Sequence, residues 1–261
     1  MRPEISKFFK DYFDEYIVEN PLSATFIGIH KHNHLYPNYL SNIEIEKDIK
    51  FKSKYLAEIK RLQKNFQGKS LTNKEQHFLS LLKSRLESSL EAYKYPFHLL
   101  PLDQFDNFII DYIDLASGKS YLPLRSKKDF QNLISKTTQF LVVCETCICR
   151  MREGMDKKIT WSKEIMSRCL KQLKDVIKTK DYLLEKGKVP DTLQKEYYKV
   201  MDKEFTKVIK KVIKFLEDEY IPSCHTHLGI KRIPQGKQMY KYLVKSYTTL
   251  KNPSIEDIHQ L

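Results

Sequence analysis

Glycine is scarce in this chain. There are 7 in 261 residues, about 3% where about 7% is usual. Tight hairpins and phosphate-cradling loops are built on glycine, so neither an all-β chain nor a P-loop enzyme is expected. No run of eighteen apolar residues occurs, so no segment suits a membrane-spanning helix. The opening Met1-Arg2-Pro3-Glu4-Ile5-Ser6-Lys7 lacks the apolar stretch of a secretory signal. Cysteine is odd in number: Cys144, Cys147, Cys149, Cys169 and Cys224. Five thiols make a poor disulfide framework, so reduced thiols and a cytoplasmic location are the expectation. Arginine is also rare, 8 of 46 basic residues.

Hydrophobic residues make up 41% of the chain, enough for a sizeable core. The formal charge is +13 and lopsided. Residues 1–124 hold 17 basic and 16 acidic residues, and residues 125–261 hold 29 and 17, a net of +12. A basic half can face nucleic acid, anionic lipid or an acidic partner. Lysine in place of arginine argues against nucleic acid, because arginine is the better fork for phosphates and bases. A lysine excess alongside Ile, Tyr, Phe and Asn is also what AT-rich coding gives. A solvated lysine face is the expectation, with no membrane or nucleic-acid partner.

Apolar residues recur at helical spacing along nearly the whole chain. Residues 4–19 place Phe8, Phe9, Tyr12, Phe13, Tyr16 and Ile17 on one stripe, and Asn20-Pro21 ends it and starts a short helix or turn over 22–29. Ser41-Asn42-Ile43-Glu44 and Thr72-Asn73-Lys74-Glu75 read as capping boxes, the first helix being broken at Gly68. Residues 105–116 read as helix with Gly118 as a stop. Ser126-Lys127-Lys128-Asp129 starts a helix reaching Gly154. Further helices are expected over 161–186, from Pro190 to before Pro222, and over 235–250. No Gly/Ser-rich linker and no fixed-period repeat occur. The pattern predicts an all-α chain of long antiparallel helices in one helical domain over 1–261. Pro253-Ser254-Ile255-Glu256-Asp257 is a further helix start, followed by only about two turns of sequence. A start with so little behind it points to a polypeptide that was once longer.

Metal chemistry finds little support. A zinc peptidase helix needs His-Glu-x-x-His, which sets two imidazoles on one face and a glutamate beside the bound water. The one histidine pair at that spacing, His30 and His34, has Lys31 where the glutamate belongs, in a loop-like stretch. Cys144-Glu145-Thr146-Cys147 is a single CxxC with Cys224-His225-Thr226-His227 as a conceivable partner, but it lies in an apolar helical run where thiols act as small core residues. No Gly-x-Ser-x-Gly or glycine-rich fingerprint occurs. Asp111/Asp114 and Glu217/Asp218/Glu219 sit at helical spacings and read as solvated faces. Trp161 reads as core or interface.

Several stretches resemble one family. Pro21-Leu22-Ser23-Ala24-Thr25-Phe26-Ile27-Gly28-Ile29-His30, Leu71-Thr72-Asn73-Lys74-Glu75-Gln76, Leu122-Pro123-Leu124 and Arg152-Glu153-Gly154 are similar, in order, to elements of the bacterial domain of unknown function 885. The most specific block is Ile233-Pro234-Gln235-Gly236-Lys237-Gln238-Met239-Tyr240, continuing through Tyr247-Thr248-Thr249 to Ile258-His259-Gln260-Leu261. The family often has a second glycine and a proline after the Arg-Glu-Gly element, and Lys158 to Ser162 supply neither. Members are about twice this length and resemble α-helical zinc metallopeptidases with His-Glu-x-x-His in the later half. The resemblance therefore implies a scaffold without a catalytic residue, a metal ligand or a cofactor in this chain, zinc being expected only with a C-terminal half. It marks Gly236, Tyr240 and His259 as substrate-side candidates, with a turn glycine, a core-edge tyrosine and a helix-start histidine as the plainer readings. A separately encoded C-terminal half would be the partner, and a peptide the substrate only once that half is present. The competing reading is a non-enzymatic basic helical module for an acidic partner or nucleic acid.

Overall fold

The computed structural model describes residues 1–66 and 71–250. Helices run through nearly all of them: α1 (Pro3–Glu19), α2 (Pro21–Phe26), α3 (Asn42–Asn65), α4 (Asn73–Ala92), α5 (Phe108–Ala116), α6 (Lys127–Asp156), α7 (Lys163–Thr179), α8 (Asp191–Tyr198), α9 (Phe205–Phe215), α10 (Ile221–Ser223) and α11 (Gly236–Thr248). No strand occurs among the described residues, and one backbone bridge joins Ser162 to His225. The all-α class expected from the periodicity is the class observed. The expected break at Gly68 and the helix start at Ser254 to Asp257 lie outside the described residues.

Local chemistry explains where most helices begin. Thr72 and Ser126 each form a reciprocal capping box with Glu75 and Asp129, satisfying backbone N–H groups that the first helical turn leaves unpaired. Asn107 caps α5 and Ser162 caps α7 through their side chains. The end of α6 is closed by Ile159 N–H donating to Gly154 O at 2.8 Å and Lys158 N–H to Met155 O at 3.0 Å. Lys158 takes a left-handed φ of 58° there, the usual close of a helix. A Cβ on Gly154 would stand 2.6 Å from Ile159 O and 3.1 Å from Leu99 O, so only glycine lets that loop return.

Two stretches depart from the sequence expectation. The helix expected over 161–186 ends at Thr179, where Lys180 turns left-handed at φ 54°. Leaving the helix axis there buries Tyr182, whose hydroxyl shares a 2.8 Å hydrogen bond with Thr206. The helix expected from Pro190 runs from Asp191 to Ser223 but contains two π turns, Lys199–Glu204 and Leu216–Tyr220. Its buried stripe is Leu193, Tyr197, Met201, Phe205, Ile209, Val212, Leu216 and Tyr220. All but one step is four residues, so the stripe would drift about half a turn around a straight α-helix of 3.6 residues per turn. The wider π turns rotate it back onto one face.

The chain forms two compact units. One comprises residues 1–19, 42–97 and the segment from Ile230, and the other residues 20–41 and 98–229. The first holds α1, α3, α4 and α11. Its core joins Ile5 and Phe8 to Phe51, Tyr55, Ile59 and Leu62 and to Leu79, Leu82 and Leu86. Buried Glu75 accepts from Arg2 N–H at 2.6 Å as well as from Thr72 N–H at 3.0 Å, and these backbone donors hold its carboxyl below the usual range.

The second unit is built around α6. Phe140 stacks on Tyr112 at 3.9 Å and packs near Tyr36 and Phe205. Thr137 donates to Leu133 O and meets Tyr112 Oη at 2.7 Å. One residue on α6 breaks the pattern. Lys136 is fully buried, and its Nζ has no hydrogen-bond partner among the described residues. Burial pushes its pKa from 10.5 down to about 8, since an unpaired ammonium in an apolar interior favours its neutral form.

That gap is equivalent to roughly 3 kcal/mol against folding at neutral pH. Below pH 8 both folded and unfolded chains bind the proton and the cost is complete. Between pH 8 and 10.5 the folded chain has released it while the unfolded chain has not, so stability rises with pH. Lys136→Met should therefore raise stability at pH 7 by roughly 2–3 kcal/mol, with most of that gain gone by pH 10.5. Urea melts at the two pH values check this, and a gain that does not change with pH would refute it.

Candidate functional site

The segment marked by its sequence starts at Ile233-Pro234-Gln235-Gly236. Ile233 N–H donates to Ile230 O at 3.2 Å, and Gly236 N–H to Ile233 O at 2.8 Å. Gln235 is left-handed at φ 61°. The turn folds back so tightly that a Cβ on Gly236 would lie 1.7 Å from Ile230 O and 2.8 Å from Ile230 C. Both contacts are with backbone, so no rotamer change relieves them. Gly236 then opens α11, and Met239 N–H donates to Gln235 O at 2.9 Å.

Helix α11 lies along α4. Tyr242 Oη donates to Ser88 O at 3.0 Å, Lys245 Nζ to Glu91 Oε2 at 2.7 Å, and Ser88 Oγ to Ser246 Oγ at 3.4 Å. The Tyr242 ring packs against Tyr95 and Phe97 at 5.3 and 5.6 Å. Beside these contacts runs an open groove of about 790 Å³, lined by residues that include Ser84, Arg85, Ser88, Tyr242 and Lys245. The hydrogen bond to Glu91 raises the Lys245 pKa above its usual value, so its ammonium stays charged. The groove thus offers hydroxyls, cations, the carboxylates of Glu87 and Glu91, and one aromatic wall. Groups of this kind can hydrogen-bond an extended ligand, and among the described residues no groove hydroxyl is hydrogen-bonded to a carboxylate or a histidine.

The structure sorts the marked residues. Gly236 sits at the base of the groove-forming helix and is required by the turn. Tyr240 is half-buried on α11 but does not line the groove. His259 lies outside the described residues. The tyrosine that faces α4 is Tyr242, which the sequence reading passed over. Its signal was present: Met239, Tyr242 and Ser246 recur at i, i+3 and i+7, the spacing of one helix face.

The other elements singled out by sequence are structural. The Thr25 hydroxyl lies 2.8 Å from Pro21 O and 2.7 Å from Asn33 Oδ1 and can donate to either, and Asn33 Nδ2 lies 3.3 Å from His30 Nδ1. Arg152 forms a two-pronged pair with Glu219 at 2.9 and 2.7 Å and lies over the Phe215 ring. Cys144, Cys147, Cys169 and Cys224 are buried, and burial raises the pKa of each thiol, to about 12 for Cys169 and Cys224. Raised thiols are neither ready nucleophiles nor ready ligands. Among the described residues no group of three or more His, Cys, Asp or Glu is placed to hold a metal ion. The described residues therefore offer no set of three ligands around an open position, which a catalytic zinc needs.

Gly236→Ala should cost roughly 3 kcal/mol, the upper range for forcing atoms into a filled site. Gly187 has open space around its Cβ position, so Gly187→Ala should change stability by less than about 0.5 kcal/mol. Thermal melts of the two variants decide this, and equal effects would show that the turn relaxes.

Comparison with known proteins supplies the wider setting. No curated protein matches the chain in sequence. Among solved structures, a "putative lipoprotein" from Colwellia psychrerythraea matches with a TM-score of 0.68 and 16% identity, over 98% of this chain and 47% of that one. At that identity the likeness shows the fold. The chain spans about half the length of that solved relative. A family described as bacterial protein of unknown function, DUF885, matches residues 21–261. With the match covering nearly the whole sequence, the chain belongs to the DUF885 family.

Proposed function

We propose that this chain is the N-terminal scaffold and substrate-side part of a metallopeptidase-like protein, without peptidase activity of its own. The carrying observation is the match that takes in nearly all of this chain and only 47% of the solved relative. In this reading the zinc-binding His-Glu-x-x-His belongs to a later half, encoded separately or downstream. The groove beside α4 and α11 is the surface on which a peptide would lie. Its hydroxyls and the Lys245 ammonium would pair with peptide carbonyls or a terminal carboxylate, and Tyr242 would pack against an apolar side chain. Peptide bonds would be cut only when the second half brings the metal and the base that activates water. The location proposed is cytoplasmic.

The groove's exposed hydroxyls and the Lys245 ammonium support a binding role for this surface. The test uses the purified chain with a mixed pool of short fluorogenic peptides, with and without added zinc. Hydrolysis should stay at the background rate in both. Hydrolysis well above background that is abolished by a chelator would overturn the proposal.

A further inference from the structure

The charge excess of the second half of the sequence is concentrated on two neighbouring helices. Helix α7 carries Lys163, Arg168, Lys171, Lys174 and Lys178 against Glu164 and Asp175. Helix α9 carries Lys207, Lys210, Lys211 and Lys214 and no acid. Nine cations less two carboxylates leave +7 on these two helices. Ion pairs occupy Arg168 with Glu164, Lys174 with Glu217 and Lys211 with Glu145. Six exposed lysines remain without an ion pair among the described residues: Lys163, Lys171, Lys178, Lys207, Lys210 and Lys214.

The packing gathers them. Helices α7 and α9 lie against each other in the second unit. Lys174 reaches Glu217, just beyond the end of α9, and Lys180 reaches Asp202, just before its start. The two helices therefore run antiparallel. Lys171, Lys174 and Lys178 share one flank of α7 at i, i+3 and i+7, and the contact with Glu217 turns that flank toward α9. Lys207, Lys210 and Lys214 have the same spacing on α9, opposite its buried Phe205, Ile209 and Val212. Two lysine rows thus stand side by side on one face, with helix axes about 8–10 Å apart.

The geometry points to an anionic lipid surface as the partner of this α7–α9 face. Lysine is a point charge on a flexible stem, which suits many loosely placed headgroups and needs no fixed two-pronged geometry. Two helices side by side make a broad face for a plane, whereas the DNA major groove admits a single helix. Neither helix has an exposed aromatic residue: α7 contains none, and Phe205 and Phe215 of α9 are buried. Stacking of single-stranded bases therefore has no platform here. The contact is peripheral and electrostatic, and it weakens as salt screens it.

The experiment is vesicle co-sedimentation of the full chain. Phosphatidylcholine vesicles are compared with vesicles containing about 30% phosphatidylglycerol, a strongly anionic surface. Affinity should be at least about tenfold higher for the anionic vesicles and should disappear near 0.5 M salt. A chain with Lys171→Glu, Lys178→Glu, Lys207→Glu and Lys214→Glu should lose the binding. A control with Lys50→Glu, Lys60→Glu, Lys64→Glu and Lys94→Glu, exposed lysines of the other unit, makes the same change in net charge and should keep it. No preference for anionic vesicles, or equal loss in both variants, would overturn the inference. So would binding to duplex DNA that is tighter than to the vesicles and lost in the first variant, since that would assign the face to nucleic acid.

Discussion

Burial of α6 is the constraint on which the larger unit depends. Fourteen of its thirty residues are buried, too many for a single core-facing stripe. Neighbours must cover it from several sides, and α8, α9 and the first π turn all pack on it. The segment of residues 34–40 joins them: Gln139 accepts from Tyr36 N–H at 3.0 Å, Asn38 donates to Thr146 at 2.8 Å, and Arg150 donates to Leu40 O at 2.9 Å. Apolar area is the main stabilising term here, and α6 sets where that area lies. The π turns of the helix from Asp191 to Ser223 follow from this constraint. A stripe repeating at about four residues reaches a straight partner helix only if the helix carrying it is locally widened.

The same constraint makes Lys136 conspicuous. An interior organised by apolar contact and by hydroxyl hydrogen bonds such as Tyr112–Thr137 tolerates neutral groups that find partners. A lysine without a partner is a local conflict between α6 as a covered spine and the side chain at one position on it.

Much of the fold was legible in the sequence. The capping box at Thr72 and the start signal at Ser126-Lys127-Lys128-Asp129 announced two helix starts, and apolar spacing of 3.6 announced the helical class. What was hidden depended on long-range packing. The early end of α7 exists because Tyr182 finds a buried place beside Thr206, which no local signal conveys. The π turns are visible only as a slow drift of the stripe, easily read as ordinary helix. The groove was half legible. Gly236 was marked through its motif as a substrate-side candidate, and its plainer reading as a turn glycine is the one the backbone explains, because a Cβ there would lie 1.7 Å from Ile230 O. Tyr240 attracted attention through its motif, while Tyr242, two residues on, carries the contacts with α4. The CxxC was legible as core from the apolar run around it, and a helix that is covered on several sides buries thiols as it buries valines.

The two proposed roles fall on two surfaces with different physics. The groove of the first unit is built by a strained turn and a tyrosine-anchored helix, and we read it as a place where a peptide lies while another part of the protein supplies the metal. The lysine face of the second unit would act through charge density and would need no fixed partner geometry. The central claim is that the chain is a scaffold without its own metal centre. Its most direct test is elemental analysis of the purified chain after equilibration with zinc and extensive dialysis. The account predicts bound zinc far below one equivalent per chain. One equivalent retained at submicromolar free zinc would contradict it and would place a metal centre within this sequence.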